Sequence, residues 1–262
     1  MMKHAAYRKA VTPMIIDAHT HIWGGDYENS TRELLRACDL FGISKIHVSG
    51  LKSHYPDEAE VGQLNADVYR FMKEQPGMVE GYCYVSPAHA NALDVLNRGI
   101  EQYGMNGMKL WVATFCDDPR VFPLVERCID FNIPILIHSF HKAVDQLTYE
   151  TTGVHVANLA RRYPEAKLLM AHFGGNCYHG IRAVRGLRNV WHDFSGTPFR
   201  RDDVDYAVER VGADRIVFGS DMPITYLVNY GQVEEADLSQ EDKDRIYYKN
   251  ALELFDRSLK VG

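Results

Sequence analysis

The 262-residue chain is 46% hydrophobic and 24% charged, proportions that match soluble globular proteins and exclude a disordered or collagen-like chain. With 29 basic against 35 acidic residues the net charge is −6 and no basic stripe recurs at helical spacing, so no nucleic acid is expected and the partner should be a small molecule. Cys38, Cys83, Cys116, Cys128 and Cys177 are dispersed without a C-x-x-C pair, which argues against disulfides or a thiolate zinc site and fits a reducing cytoplasm.

Residues 1–13 carry Lys3, Arg8 and Lys9 but no signal-peptide-like apolar run, and are expected to form a tail ahead of one domain spanning 14–262. No stretch approaches the ~20 apolar residues that cross a bilayer, so no membrane is expected as a partner. From residue 14 onward, short apolar runs alternate with segments of helical periodicity. Strands are expected at 14–17, 45–49, 79–85, 107–111, 133–137, 167–171, 189–194 and 215–219. Helices are expected at 34–41, 61–71, 93–103, 124–131, 156–163, 181–187, 204–211 and 246–255, with Val61, Leu64, Val68 and Phe71 as a typical apolar stripe. Strands spaced by roughly 25 to 35 residues match βαβ units, whose crossovers make the strands parallel. Eight such units in one domain describe an α/β fold, the (β/α)8 or TIM barrel. An open doubly wound sheet would begin its first turn with a Gly-rich phosphate loop, and Asp17-Ala18-His19-Thr20-His21 is not one.

Polar residues close several of these runs. His19 and His21, two apart at the end of the first strand, leave one face and can converge on one ion. His138 closes the fifth run, His172 the sixth and Asp221 the eighth, the strand ends where barrel active sites form. One shared divalent ion accounts for all five; imidazole and carboxylate donors suit zinc, and also admit iron, manganese or cobalt. Ser86, Asp193 and Ser195, near the ends of the third and seventh strands, are placed to touch substrate, but loop caps have the same composition. Arg182, Arg185, Arg200 and Arg201 fit a solvated helix face as well as a carboxylate site. The long loops 139–153 and 222–240 are where substrate choice is expected to lie.

The motif Ile16-Asp17-Ala18-His19-Thr20-His21-Ile22-Trp23, with His138, His172-Phe173-Gly174-Gly175 and Gly219-Ser220-Asp221-Met222-Pro223, resembles the amidohydrolase superfamily. Within it the chain is most similar to the amidohydrolase-related group that includes aminocarboxymuconate-semialdehyde decarboxylase, over essentially everything after the tail. The resemblance implies that His19, His21, His138 and Asp221 hold one divalent metal, zinc in the first instance. It implies that His172 hydrogen-bonds the water or the developing oxyanion, with Asp17 as support and Asp221 as proton shuttle. Lys109 would be an unmodified amine that binds an anionic substrate, rather than the carboxylated lysine that bridges two metals in binuclear members. Trp23 would wall the pocket. The chemistry implied is metal-dependent hydrolysis of a small, carboxylate-bearing amide, lactone or ester. Its alternative is non-oxidative decarboxylation of an unsaturated or aromatic acid, which the same donors permit. A non-catalytic metal-binding barrel is the third reading, disfavoured by retention of all five site residues, and a homo-oligomer is compatible with any of them.

Overall fold

The computed structural model describes residues 14–196, 200–221 and 225–261; the expected tail, 1–13, lies outside them. Seven parallel strands follow in chain order across one sheet: β1 (Ile15–Trp23), β2 (Ile43–Leu51), β3 (Val79–Tyr84), β4 (Gly107–Leu110), β5 (Ile135–Ile137), β6 (Leu168–Met170) and β7 (Val190–His192). Helices alternate with them: α1 (Tyr27–Phe41), α2 (Glu58–Glu74), α3 (Ala92–Glu101), α4 (Phe122–Phe131), α5 (Gly153–Arg162), α6 (Cys177–Val184) and α7 (Asp203–Val211). The architecture is the (β/α)8 barrel that the spacing of the runs predicts.

Residues 216–221 join the two edges of the sheet. Val217 N donates to His192 O of β7 at 2.9 Å, while Ala18 N donates to Phe218 O at 2.9 Å and Asp221 N to His19 O at 2.7 Å on the β1 side. The strand expected at 215–219 is thus an irregular closing segment with isolated bridges, Ile216 to His192 and Asp221 to Thr20. Competing partners explain the irregularity: Phe218 N donates instead to Ile246 O at 2.8 Å, and Arg215 is taken up in a 3-10 turn, Ala213–Arg215.

The stretch 222–240, expected as a loop, contains a helix, α8 (Tyr226–Glu235). Its polarity is inverted, with Asn229 and Gln232 buried and Leu227 and Val228 exposed, so the apolar stripe that marks an amphipathic helix is missing. A single helix at 246–255 is replaced by α9 (Gln240–Asp244), a π turn (Arg245–Lys249) and α10 (Asn250–Phe255).

Apolar residues between strands and helices form the main core, among them Leu34, Phe71, Leu96, Val125, Leu159 and Ile181. A second cluster, Ile16, Tyr82, Leu136, Leu169, Trp191 and Val217, fills the interior of the ring and is sealed by Ala251 and Leu254 of α10. The polar side chains buried within the barrel, His19, Lys109, Asp193 and Ser220, have no exposure at all and must find partners among themselves.

Candidate metal centre

β1 runs six residues beyond the expected end, and its pairing with β2 is interrupted between Asp17 and Thr20. At that bulge His19 N donates to Asp17 Oδ1 at 2.9 Å instead of to the ladder. Asp17 also accepts from Ser220 N at 3.2 Å and Ser220 Oγ at 2.6 Å, so it ties β1 to the closing segment.

The other strand ends are strained where they carry site residues. His172 (φ 62°), Phe173 (φ 46°) and Asp221 (φ 66°) all sit in the left-handed region that side chains other than glycine rarely adopt. Gly219 is required beside them, because a Cβ there would stand 2.8 Å from Asp193 Cβ and 3.1 Å from His19 Cβ.

The hydrogen bonds of three of the four imidazoles place their protons. His19 Nδ1 meets the Asp193 carboxylate at 3.0 Å, and His138 Nε2 meets the Glu150 carboxylate at 3.0 Å. His172 Nδ1 meets the Ser195 carbonyl at 3.1 Å, and His21 Nδ1 meets Ser49 Oγ at 2.8 Å and the Ser49 carbonyl at 3.3 Å. Carboxylates and carbonyls only accept, so the outer nitrogens of His19, His138 and His172 carry the proton and their inner nitrogens are bare, whereas His21 meets an acceptor at each nitrogen, Ser49 at Nδ1 and Asp221 Oδ1 at Nε2.

The inner nitrogens converge. His19 Nε2 and His21 Nε2 are 3.0 Å apart, and Asp221 Oδ1 lies 3.5 Å from the first and 3.1 Å from the second. His138 Nδ1 and His172 Nε2 face each other at 3.3 Å. Such a collection of lone pairs is repulsive unless a cation lies among them. Lys109 Nζ, 3.3 Å from His19 Nε2, is the cationic group that reaches it among the described residues. Burial holds His19 down to about 3 and His138 down to about 4, keeping both neutral as metal ligands must be. Burial likewise lowers His21, and brings Lys109 down to about 8. Burial alone would raise Asp221, but the hydrogen bond to His21 and the neighbouring imidazoles hold its carboxyl well below the usual range.

Two trios have ligand atoms close enough to share an ion: His19, His21 and Asp221, and His19, His172 and Asp193. The second is already satisfied by protons, since Asp193 accepts from His19 Nδ1, His172 N, Ser195 N and Ser195 Oγ. The first brings the Asp221 carboxylate and two imidazole Nε2 atoms to one point with no other donor held on the carboxylate among the described residues, and is the trio that fits a metal. His138, expected as a fourth ligand, stands outside both trios and faces His172.

Lys109 is fully buried. Trp23 is 37% exposed, and its ring lies 6.5 Å from that of His21. Trp23 lines a cleft of about 400 Å³, whose wall it shares with His21, Ser30, Ala37, Leu40 and Phe41. Arg182, Arg185, Arg200 and Arg201 are exposed, consistent with a solvated face. Asp193 and Ser195, which sequence reasoning set aside as caps, form the hub under His19 and His172, and Glu150 was not singled out by any motif. Their signal lay in position: Asp193 follows directly on β7, whereas Glu150 is one carboxylate in a long loop.

The amidohydrolase family model matches residues 16–257. No curated protein matches the chain in sequence. Among solved structures it is similar to 5-carboxyvanillate decarboxylase from Sphingomonas paucimobilis, at a TM-score of 0.73 and 16% identity over 92% of this chain and 98% of that one. It is similar to a dihydroxybenzoic acid decarboxylase from Polaromonas sp. JS666 solved with manganese and 2-nitroresorcinol, at a TM-score of 0.74 and 18% identity over 94% and 98%. It is also similar to 4-oxalomesaconate hydratase from Rhodopseudomonas palustris, at a TM-score of 0.70 and 20% identity over 94% and 96%.

Proposed function

Since the chain belongs to the amidohydrolase family, we propose that it is a metal-dependent hydrolase acting on a small, carboxylate-bearing amide, lactone or ester. The observation that carries this reading is the convergence of His19 Nε2, His21 Nε2 and Asp221 Oδ1, all within 3.5 Å of one another. These three would hold the ion, with His138 as the fourth ligand and His172 beside it. The imidazole-rich donors favour zinc, and the manganese of the Polaromonas enzyme makes manganese the first alternative. A divalent ion bound there supplies Lewis-acid activation of water and of the substrate carbonyl.

This chain's residues then move the protons. Asp221, ionised and a quarter exposed, accepts a proton from the attacking water at its carboxylate and returns it to the leaving group. His172 presents a bare Nε2, so it acts first as a proton acceptor and donates to an oxyanion only once protonated there. Lys109 Nζ offers its charge to the substrate carboxylate, and Trp23 walls the cleft that leads to His21.

Non-oxidative decarboxylation is the second reading, favoured by the likeness to two decarboxylases acting on aromatic acids. The discriminating experiment is metal analysis of the purified protein followed by assay against lactones, amides and unsaturated or aromatic acids. Acid release without carbon dioxide supports the hydrolase, and carbon dioxide release replaces it with the lyase. A protein that takes up no divalent ion overturns both.

A further inference from the structure

Three imidazoles of the site turn Nε2 inward, and His138 turns Nδ1 inward. The difference traces to Glu150. Its side chain is 1% exposed, yet it lies at the far end of the loop that follows β5. Oε1 accepts from His138 Nε2 at 3.0 Å and Lys142 Nζ at 2.9 Å; Oε2 accepts from Gln146 Nε2 at 2.7 Å and Leu147 N at 3.2 Å. A buried carboxylate is costly unless its lone pairs are matched, and three of these four donors belong to the loop itself. They fold the loop around the carboxylate. The fourth donor, His138, connects that folded loop to the site.

We propose that Glu150 is a positioning residue that fixes the tautomer of His138, holding the proton on Nε2 so that the Nδ1 lone pair is presented to the centre. The inference rests on the reading of His138 as a member of the metal centre. Packing does not make this choice by itself. The Phe140 ring lies near-parallel to His138 at 6.0 Å and tilted against His172 at 5.5 Å, which restricts rotation of His138 but is indifferent to which nitrogen is protonated. The proton is placed by the only strong acceptor that Nε2 meets among the described residues, the Glu150 carboxylate.

The test uses the whole chain, ¹⁵N-labelled and metal-free, with the His138 ring signals assigned by comparison with His138→Gln. Long-range ¹H–¹⁵N correlation should show Nε2 protonated and Nδ1 bare in the wild type. Glu150→Ala should give a mixed or Nδ1-protonated ring, and Glu150→Gln, whose amide oxygen still accepts, should restore the wild-type pattern in part. In parallel, the zinc Kd measured by competition with a chromophoric chelator should weaken about 10- to 100-fold in Glu150→Ala and less in Glu150→Gln. Lys142→Met, which removes a partner of Glu150 that does not touch His138, should leave the His138 tautomer unchanged. A wild-type His138 protonated on Nδ1, or a Glu150→Ala protein with the wild-type ring pattern, overturns the proposal. If Glu150→Ala does not fold, the wild-type and Gln spectra decide. Absence of zinc binding in the wild type would defeat the metal reading, while the tautomer would still answer for Glu150.

Discussion

Asp193 holds His19 Nδ1 at 3.0 Å with one oxygen and gathers the His172 amide and Ser195 with the other. One buried carboxylate therefore fixes a side chain of β1 and the backbone after β6 at the same time. Burial works to raise its pKa, but the imidazole of His19 and the Ser195 hydroxyl bring it far below the usual range, so it stays charged. Asp193→Asn puts an amide NH2 within reach of the His19 Nδ1 proton and favours transfer of that proton to Nε2. Metal affinity should fall about 10- to 100-fold, read by equilibrium dialysis and metal analysis. Unchanged affinity would remove Asp193 from the support of the site.

His19→Ala removes a ligand and should strip the metal during dialysis against a weak chelator. Asp221→Asn should retain more metal than His19→Ala, because an amide oxygen still coordinates weakly. Its kcat should nevertheless drop by about 10²- to 10⁴-fold, because an amide does not shuttle protons. Near-normal kcat would transfer the proton shuttle to His172.

Lys109→Met should leave one equivalent of metal bound and raise KM for anionic substrates while sparing neutral ones, since only a charge partner is lost. Two equivalents of tightly bound metal, with the mass of an added carbon dioxide on Lys109, would instead make the lysine a bridging ligand.

Trp23→Ala opens the wall of the cleft beside His21. It should raise KM about tenfold, the loss of one aromatic contact, with metal content unchanged. A change in metal content would place Trp23 in the support of His21 rather than against substrate.

His47 is buried, stacked on Phe255 at 3.5 Å, and burial together with the charge of Lys45 lowers it to about 3. Between the unfolded value of 6.5 and about 3 the unfolded chain binds a proton that folded His47 refuses, so stability is full above pH 6.5 and is lost as the pH falls through that window. The contribution at pH 5 is about 2 kcal/mol. Urea unfolding of His47→Gln at pH 7 and pH 5 should show a smaller acid loss than the wild type by that amount. Equal losses would assign the acid sensitivity to other buried groups.

The parts of this molecule legible in sequence are those in which the chemistry interrupts a regular pattern. His138, His172 and Asp221 stand out because each ends an otherwise apolar run, and His19 and His21 because their two-residue spacing places them on one face. Glu150 interrupts nothing: a carboxylate in a polar loop is ordinary until folding buries it. Asp193 is hidden for the related reason that an acidic residue after a strand is also what a loop cap looks like. Helix α8 escapes because its buried side chains include Asn229 and Gln232, whose hydrogen bonds to Phe194 O and Arg200 O replace the apolar contacts a periodicity search detects. The irregular closing segment depends on a carbonyl, Ile246 O, that is 28 residues away in sequence and invisible to any local pattern.

The weakest seam of the barrel and its candidate metal ligands coincide. Between β7 and β1 the ring is held by scattered single hydrogen bonds and by Asp17 gripping Ser220, whereas the other neighbouring strands pair along regular ladders, broken only by the bulge of β1 against β2. His19 and His21 stand on one side of that seam and Asp221 on the other. An ion shared by them would act as a rivet through the joint, so occupancy should be felt in mechanics as well as in chemistry: the metal-free barrel should breathe first at 216–221, and loading should slow amide exchange there more than anywhere else in the ring.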